Sequence, residues 1–107
     1  MNYSRTEIHR IRQAVEECVA HLLPTCKSAV VDGPLPTGEW FLRLRFQDPQ
    51  LEGSGRGLDG EVVALRREYE FGWRNLGLHQ MALVEKCLRR LARMRSRAAL
   101  RLGKAAP

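Results

Sequence analysis

The chain lacks several features that would narrow its function directly. No apolar run approaches the roughly 18 residues that a membrane-spanning helix needs, and Met1-Asn2-Tyr3-Ser4-Arg5-Thr6-Glu7 leads into alternating charge instead of a signal-peptide core. Membrane insertion is therefore not expected, and the cytoplasmic compartment is. Cysteine is sparse: Cys18, Cys26 and Cys87 form no C-x-x-C pair and are odd in number, so reduced thiols are expected in place of a disulfide framework. Aromatic residues make up only 7% of the chain, and Trp40 and Trp73 fall on apolar positions where packing is their expected role.

The signatures of catalysis are also missing. Gly53-Ser54-Gly55-Arg56-Gly57 is rich in glycine but has neither the Gly-Lys-Ser/Thr end of a P-loop nor the G-x-G-x-x-G spacing. Cys18, His21, Cys26 and Cys87 do not follow the spacing of a zinc finger, and Cys18 lies on an apolar stripe where a small thiol needs no metal. His9, His21 and His79 have no companions at catalytic spacing, and the pairs Glu16-Glu17 and Glu68/Glu70 fall on outward positions. The expectation is a protein that is not an enzyme, with no cofactor and no metal.

What remains is one domain of ordinary composition. At 107 residues, with 44% apolar and 28% charged residues, two domains would leave each half too small to bury a core. A single domain over 1–107 is expected.

Its net charge of +6 is unevenly distributed. Residues 1–75 carry ten bases against eleven acids, whereas 76–107 carry Lys86, Arg89, Arg90, Arg93, Arg95, Arg97, Arg101 and Lys104 against Glu85 alone. A chain with a neutral body and a basic end usually meets an anionic partner.

The pattern of elements reads as α+β. Ser4 and Glu7 have the spacing of a capping box, and Ile8, Ile11, Val15, Cys18 and Leu22 recur at three- and four-residue steps until Pro24. This predicts an N-terminal helix. Residues 27–31 form a short β-branched run, closed by the turn-rich 32–38. In 39–46, Trp40, Leu42, Leu44 and Phe46 alternate with Phe41, Arg43 and Arg45, which predicts a strand with one buried and one basic face.

Residues 47–60 read as a flexible Gly-rich loop. The following stretch, 61–73, fits a strand through Val63, Leu65, Tyr69, Phe71 and Trp73, with Arg67 as the exception. It also fits a helical stripe through Val62, Leu65, Tyr69 and Trp73, with strand the favoured reading. From Met81 the apolar repeat Val84, Leu88, Leu91, Ala98, Leu102 predicts a long C-terminal basic helix, broken only by Arg95.

The expected architecture is thus α-β-β-β-α, a small antiparallel sheet of two to three strands with both helices on one face. A helix over 78–102 would be about 37 Å long, so its end is expected to project, with 95–107 a basic and frayed extension. Double-stranded RNA-binding domains share this element order. Their Lys-Lys-x-Ala-Lys type of motif at the start of the last helix is absent, since this helix begins Leu78-His79-Gln80-Met81-Ala82, so no family membership follows.

The candidate binding residues are Lys86, Arg89, Arg90, Arg93, Arg97, Arg101 and Lys104. Arg90, Arg93, Arg97 and Arg101 are three, four and four residues apart and so line one side of a helix, where a row of guanidinium forks can follow a phosphate backbone. The expected partner is nucleic acid, DNA or RNA. The alternative is an acidic protein surface, with the chain acting as an adaptor or inhibitor, or a homodimer formed through the same helix. A secondary candidate surface is Phe41, Arg43 and Arg45, since basic and aromatic side chains interleaved on a strand can stack on and neutralise single-stranded nucleic acid. Cross-strand pairing with Glu68 or Glu70 would instead leave that face simply solvated.

Overall fold

A computed structural model describes residues 3–46, 53–56, 62–65 and 68–101. The first helix, α1 (Arg5–Leu22), starts where the capping box places it. The Glu7 amide donates to Ser4 Oγ at 3.1 Å, and the Ser4 amide donates to Glu7 Oε1 at 3.2 Å. Its core stripe is Ile11, Val15, Val19 and Leu23, with Ile8, Cys18 and Leu22 half-buried along its edge. The buried line is rotated from the predicted one because Val19 and Leu23, one position beyond Cys18 and Leu22, point between the sheet and the other helix.

Strands β1 (Cys26–Asp32), β2 (Glu39–Phe46) and β5 (Glu68–Arg74) form an antiparallel sheet in the order β1-β2-β5. Register assigns the faces. Trp40, Leu42 and Leu44 stand opposite Trp73, Phe71 and Tyr69 on the core side, and Phe41, Arg43 and Arg45 stand opposite Gly72, Glu70 and Glu68 on the outer side. The alternation read for 39–46 is therefore the real one, and Trp40, Leu42, Leu44 and Phe46 are all buried.

The turn between β1 and β2 depends on two glycines in the left-handed region, Gly33 (φ +133°) and Gly38 (φ +90°). A Cβ on Gly33 would lie 2.9 Å from the Glu39 carbonyl oxygen, and one on Gly38 would collide with the Asn75 side chain.

Within 61–73, open to two readings, the described residues are extended. Val62–Leu65 is β4 and Glu68–Arg74 is β5; Arg67, which breaks the alternation, lies between them and outside the described residues. Part of the segment expected as a flexible loop is also ordered. Gly53–Arg56 is β3, paired antiparallel with β4 from Gly53 opposite Leu65 to Arg56 opposite Val62. The rest of 47–60 lies outside the described residues. A glycine-rich segment has little strand propensity, and here cross-strand backbone pairing overrides composition.

After Asn75 (φ 54°) a 3₁₀ turn, Leu78–Gln80, leads into α2 (Met81–Arg101). The Tyr3 hydroxyl donates to the Leu76 carbonyl at 2.8 Å, and its ring meets Trp40 edge-on at 5.4 Å, which ties the start of the chain to the entry of α2. Both helices lie on the core face, α1 against β1 and α2, and α2 against β4. Here the structure departs from the expected projecting end. Ala98 is 1% exposed and Ala99 is also buried, so α2 stays packed through its fifth turn. The fold is α+β as expected, with a β3–β4 hairpin inserted between two strands of the main sheet. Among the described residues no helix is long and apolar enough to cross a membrane.

Candidate nucleic-acid interface

The basic residues of α2 separate into an outward and an inward set, as the 3.6-residue repeat dictates. Val84, Leu88, Leu91, Arg95, Ala98 and Ala99 face the core. Lys86, Arg89, Arg90, Arg93 and Arg97 are exposed on the opposite side. At about 100° per residue, Lys86, Arg90, Arg93 and Arg97 share an arc of roughly 60° and extend about 17 Å along the axis. Arg101 closes the helix and Lys104 follows it; the side chain of the first and the whole of the second lie outside the described residues.

Counter-charges distinguish these residues. Arg89 pairs with Glu85 one turn earlier at 3.6 Å. Among the described residues Lys86, Arg90, Arg93 and Arg97 form no ion pair. Like charges three and four residues apart repel, and no acid among the described residues compensates this row.

Arg95, the residue that broke the apolar repeat, is buried, at 8% exposure. Its guanidinium carbon sits 3.7 Å from the centroid of Phe46 and 5.5 Å from that of Tyr69, and Nη1 donates to the Tyr69 hydroxyl at 3.1 Å. The two rings meet edge-on at 5.8 Å. Arg95 thus fastens the second half of α2 to the ends of β2 and β5, which fixes the turns carrying Arg93 and Arg97. Sequence reasoning counted Arg95 with the tail's charge. The signal that could have separated it was its place on the core stripe, four residues after Leu91 and three before Ala98.

The secondary surface, Phe41, Arg43 and Arg45, does assemble on the outer face of the sheet, across the sheet from the helices. Arg43 Nε lies 3.2 Å from Glu70 Oε2, Arg74 Nη2 lies 3.2 Å from Glu39 Oε1, and Arg45 stands opposite Glu68. An open concavity of about 590 Å³ runs over Ser28, Val30, Arg43, Arg45, Glu68 and Glu70. Its charges are mixed, which suits solvent better than a polyanion.

No group of three His, Cys, Asp or Glu side chains stands close enough to hold a metal ion among the described residues. Burial, reinforced by the nearby carboxylates of Glu85 and Glu17, raises the Cys18 pKa above the ordinary thiol range and keeps this thiol protonated. No family model matches this chain, and comparison with curated proteins and with solved structures finds no match.

Proposed function

We propose that this protein binds nucleic acid through phosphate contacts made by the outward face of α2, with Lys86, Arg90, Arg93 and Arg97 as the contacting residues. The observation that carries this reading is four cations within one narrow arc of a packed helix, none with an acidic partner among the described residues, while Arg43, Arg74 and Arg89 on the same domain are each paired. A rigid row offers its charges without first breaking internal ion pairs, and each guanidinium presents a planar fork to phosphate oxygens. Such contacts give affinity with little base specificity.

The test is fluorescence anisotropy with labelled duplex DNA, duplex RNA and single strands, comparing wild type with the Arg90→Ala/Arg93→Ala/Arg97→Ala variant. Binding that collapses in the variant supports the reading; no binding by the wild type to any of these at low salt refutes it.

A second reading rests on a different observation. Leu83 is 49% and Met94 43% exposed on α2, next to the basic row. Apolar side chains beside cations suit an acidic protein surface that also offers apolar contact, so an adaptor or inhibitor role through the same helix is the alternative. Replacing Leu83 and Met94 by Ser would leave phosphate-driven binding nearly unchanged and would weaken a protein contact.

A further inference from the structure

Where the aromatic side chains stand narrows the class of nucleic acid that the basic row can hold. The chain has two Trp, two Tyr and three Phe, and none follows Trp73, so α2 carries no ring. Trp40 and Phe46 are buried, and Tyr3, Tyr69, Phe71 and Trp73 pack against the core. These rings engage one another: Tyr3 meets Trp40 and Tyr69 meets Phe46 edge-on, while Phe71 lies parallel to Trp73 with centroids 6.0 Å apart. Phe41 is the one ring on the outer face of the sheet, away from the helices, and it stands over its cross-strand neighbour Gly72, where an added Cβ would lie 3.2 Å from Phe41 Cε1.

Proteins that hold single strands without sequence preference combine a positive groove with rings on which successive bases stack, and the stacking offsets the cost of ordering a flexible strand. The outward face of α2 supplies the charge without the stacking platform. A duplex needs no platform, because its bases are already stacked and its phosphates stand in a stiff array, one per about 3.4 Å of axis on each strand. A row about 17 Å long therefore runs beside about five phosphates of one strand, a close match to Lys86, Arg90, Arg93 and Arg97. α2 also packs against α1 and β4, which leaves its outward arc to lie on a backbone. Given the phosphate contacts proposed above, we infer that the nucleic acid taken by this row is double-stranded, held along one strand over about five base pairs with its bases left paired and unread. DNA and RNA duplexes share that chemistry.

Anisotropy with the full chain tests it, using a DNA duplex and an RNA duplex of about 20 base pairs, each compared with its own separated strands at one salt concentration. At least one duplex is expected to bind about tenfold or more tighter than its strands, and which of them does so identifies the source. Scrambling the sequence of that duplex is expected to change its affinity by less than about threefold. Phe41→Ser, at a half-buried position on the other side of the domain, is expected to keep the wild-type circular dichroism spectrum and an affinity within about twofold. Separated strands bound as tightly as both duplexes overturn the inference and leave the phosphate reading standing. So does a loss of more than about tenfold on scrambling or in Phe41→Ser. A wild type that binds neither duplexes nor strands at low salt overturns the phosphate reading and the inference together.

Discussion

The outer face of the sheet and the outward face of α2 both display arginine, and they differ in what stands next to it. On the sheet, register sets Glu70 across from Arg43, Glu68 across from Arg45 and Arg74 across from Glu39, so each of these arginines lies beside a carboxylate on the neighbouring strand. On α2, the positions three and four residues from Arg90, Arg93 and Arg97 hold no acid, and no acid follows Glu85. The lesson is that the number of arginines on a surface says less about its partner than whether the fold supplies their counter-ions. An exposed ion pair contributes at most about 1 kcal/mol to stability but still neutralises the local field, whereas an unpaired row retains it for a ligand.

The largest effect that would sharpen this contrast is on binding. Arg90→Ala/Arg93→Ala/Arg97→Ala is expected to weaken duplex binding about 100-fold, from roughly 1 kcal/mol lost per charge-assisted contact, measured by anisotropy at fixed salt. Arg43→Ala/Arg45→Ala on the sheet is expected to change the same affinity by less than about threefold. Equal losses from the two variants would erase the distinction.

Next in size is a difference within α2 itself. Arg95→Ala removes the stack on Phe46 and the hydrogen bond to Tyr69, and is expected to cost about 2 kcal/mol, a fall of roughly 10 °C in Tm. Arg93→Ala, on the exposed side two residues earlier, is expected to shift stability by no more than about 0.5 kcal/mol. Thermal melts of the two variants side by side would settle which arginine serves the fold.

The smallest effect concerns Cys18. Its thiol is favoured in the neutral form in the folded state, so folding gains stability that is fully present at neutral pH and is lost as pH rises through the thiol's unfolded value toward its higher folded one. Replacing Cys18 by Ala is expected to flatten the decline of Tm above about pH 8.5. Alkylation by iodoacetamide at neutral pH is expected to be slower at Cys18 than at an unperturbed thiol.

Much of this fold was legible because local signals agreed with tertiary ones. Ser4 and Glu7 fixed the start of α1, and the strict alternation from Trp40 to Phe46 fixed the buried face of β2. The α-β-β-β-α order was readable for the same reason. The β3 strand was not, because Gly53-Ser54-Gly55-Arg56 has no side-chain periodicity and is extended through pairing with residues several positions away.

The candidate row on α2 followed from spacing alone. The role of Arg95 did not, since stacking between Phe46 and Tyr69 depends on where β2 ends and β5 begins, 49 and 26 residues earlier in the chain. The packed end of the helix escaped for a related reason. Small residues such as Ala98 and Ala99 give a weak hydrophobic signal, yet allow the helix to sit close against its neighbours.

The central claim is that the outward row of α2 meets phosphates, and the salt dependence of binding tests it most directly. For four contacts on duplex DNA, log Kobs plotted against log salt is expected to have a slope of about −3.6, and the Arg90→Ala/Arg93→Ala/Arg97→Ala variant a slope of about −0.9. Identical slopes for wild type and variant, or wild-type binding that does not respond to salt, would contradict it.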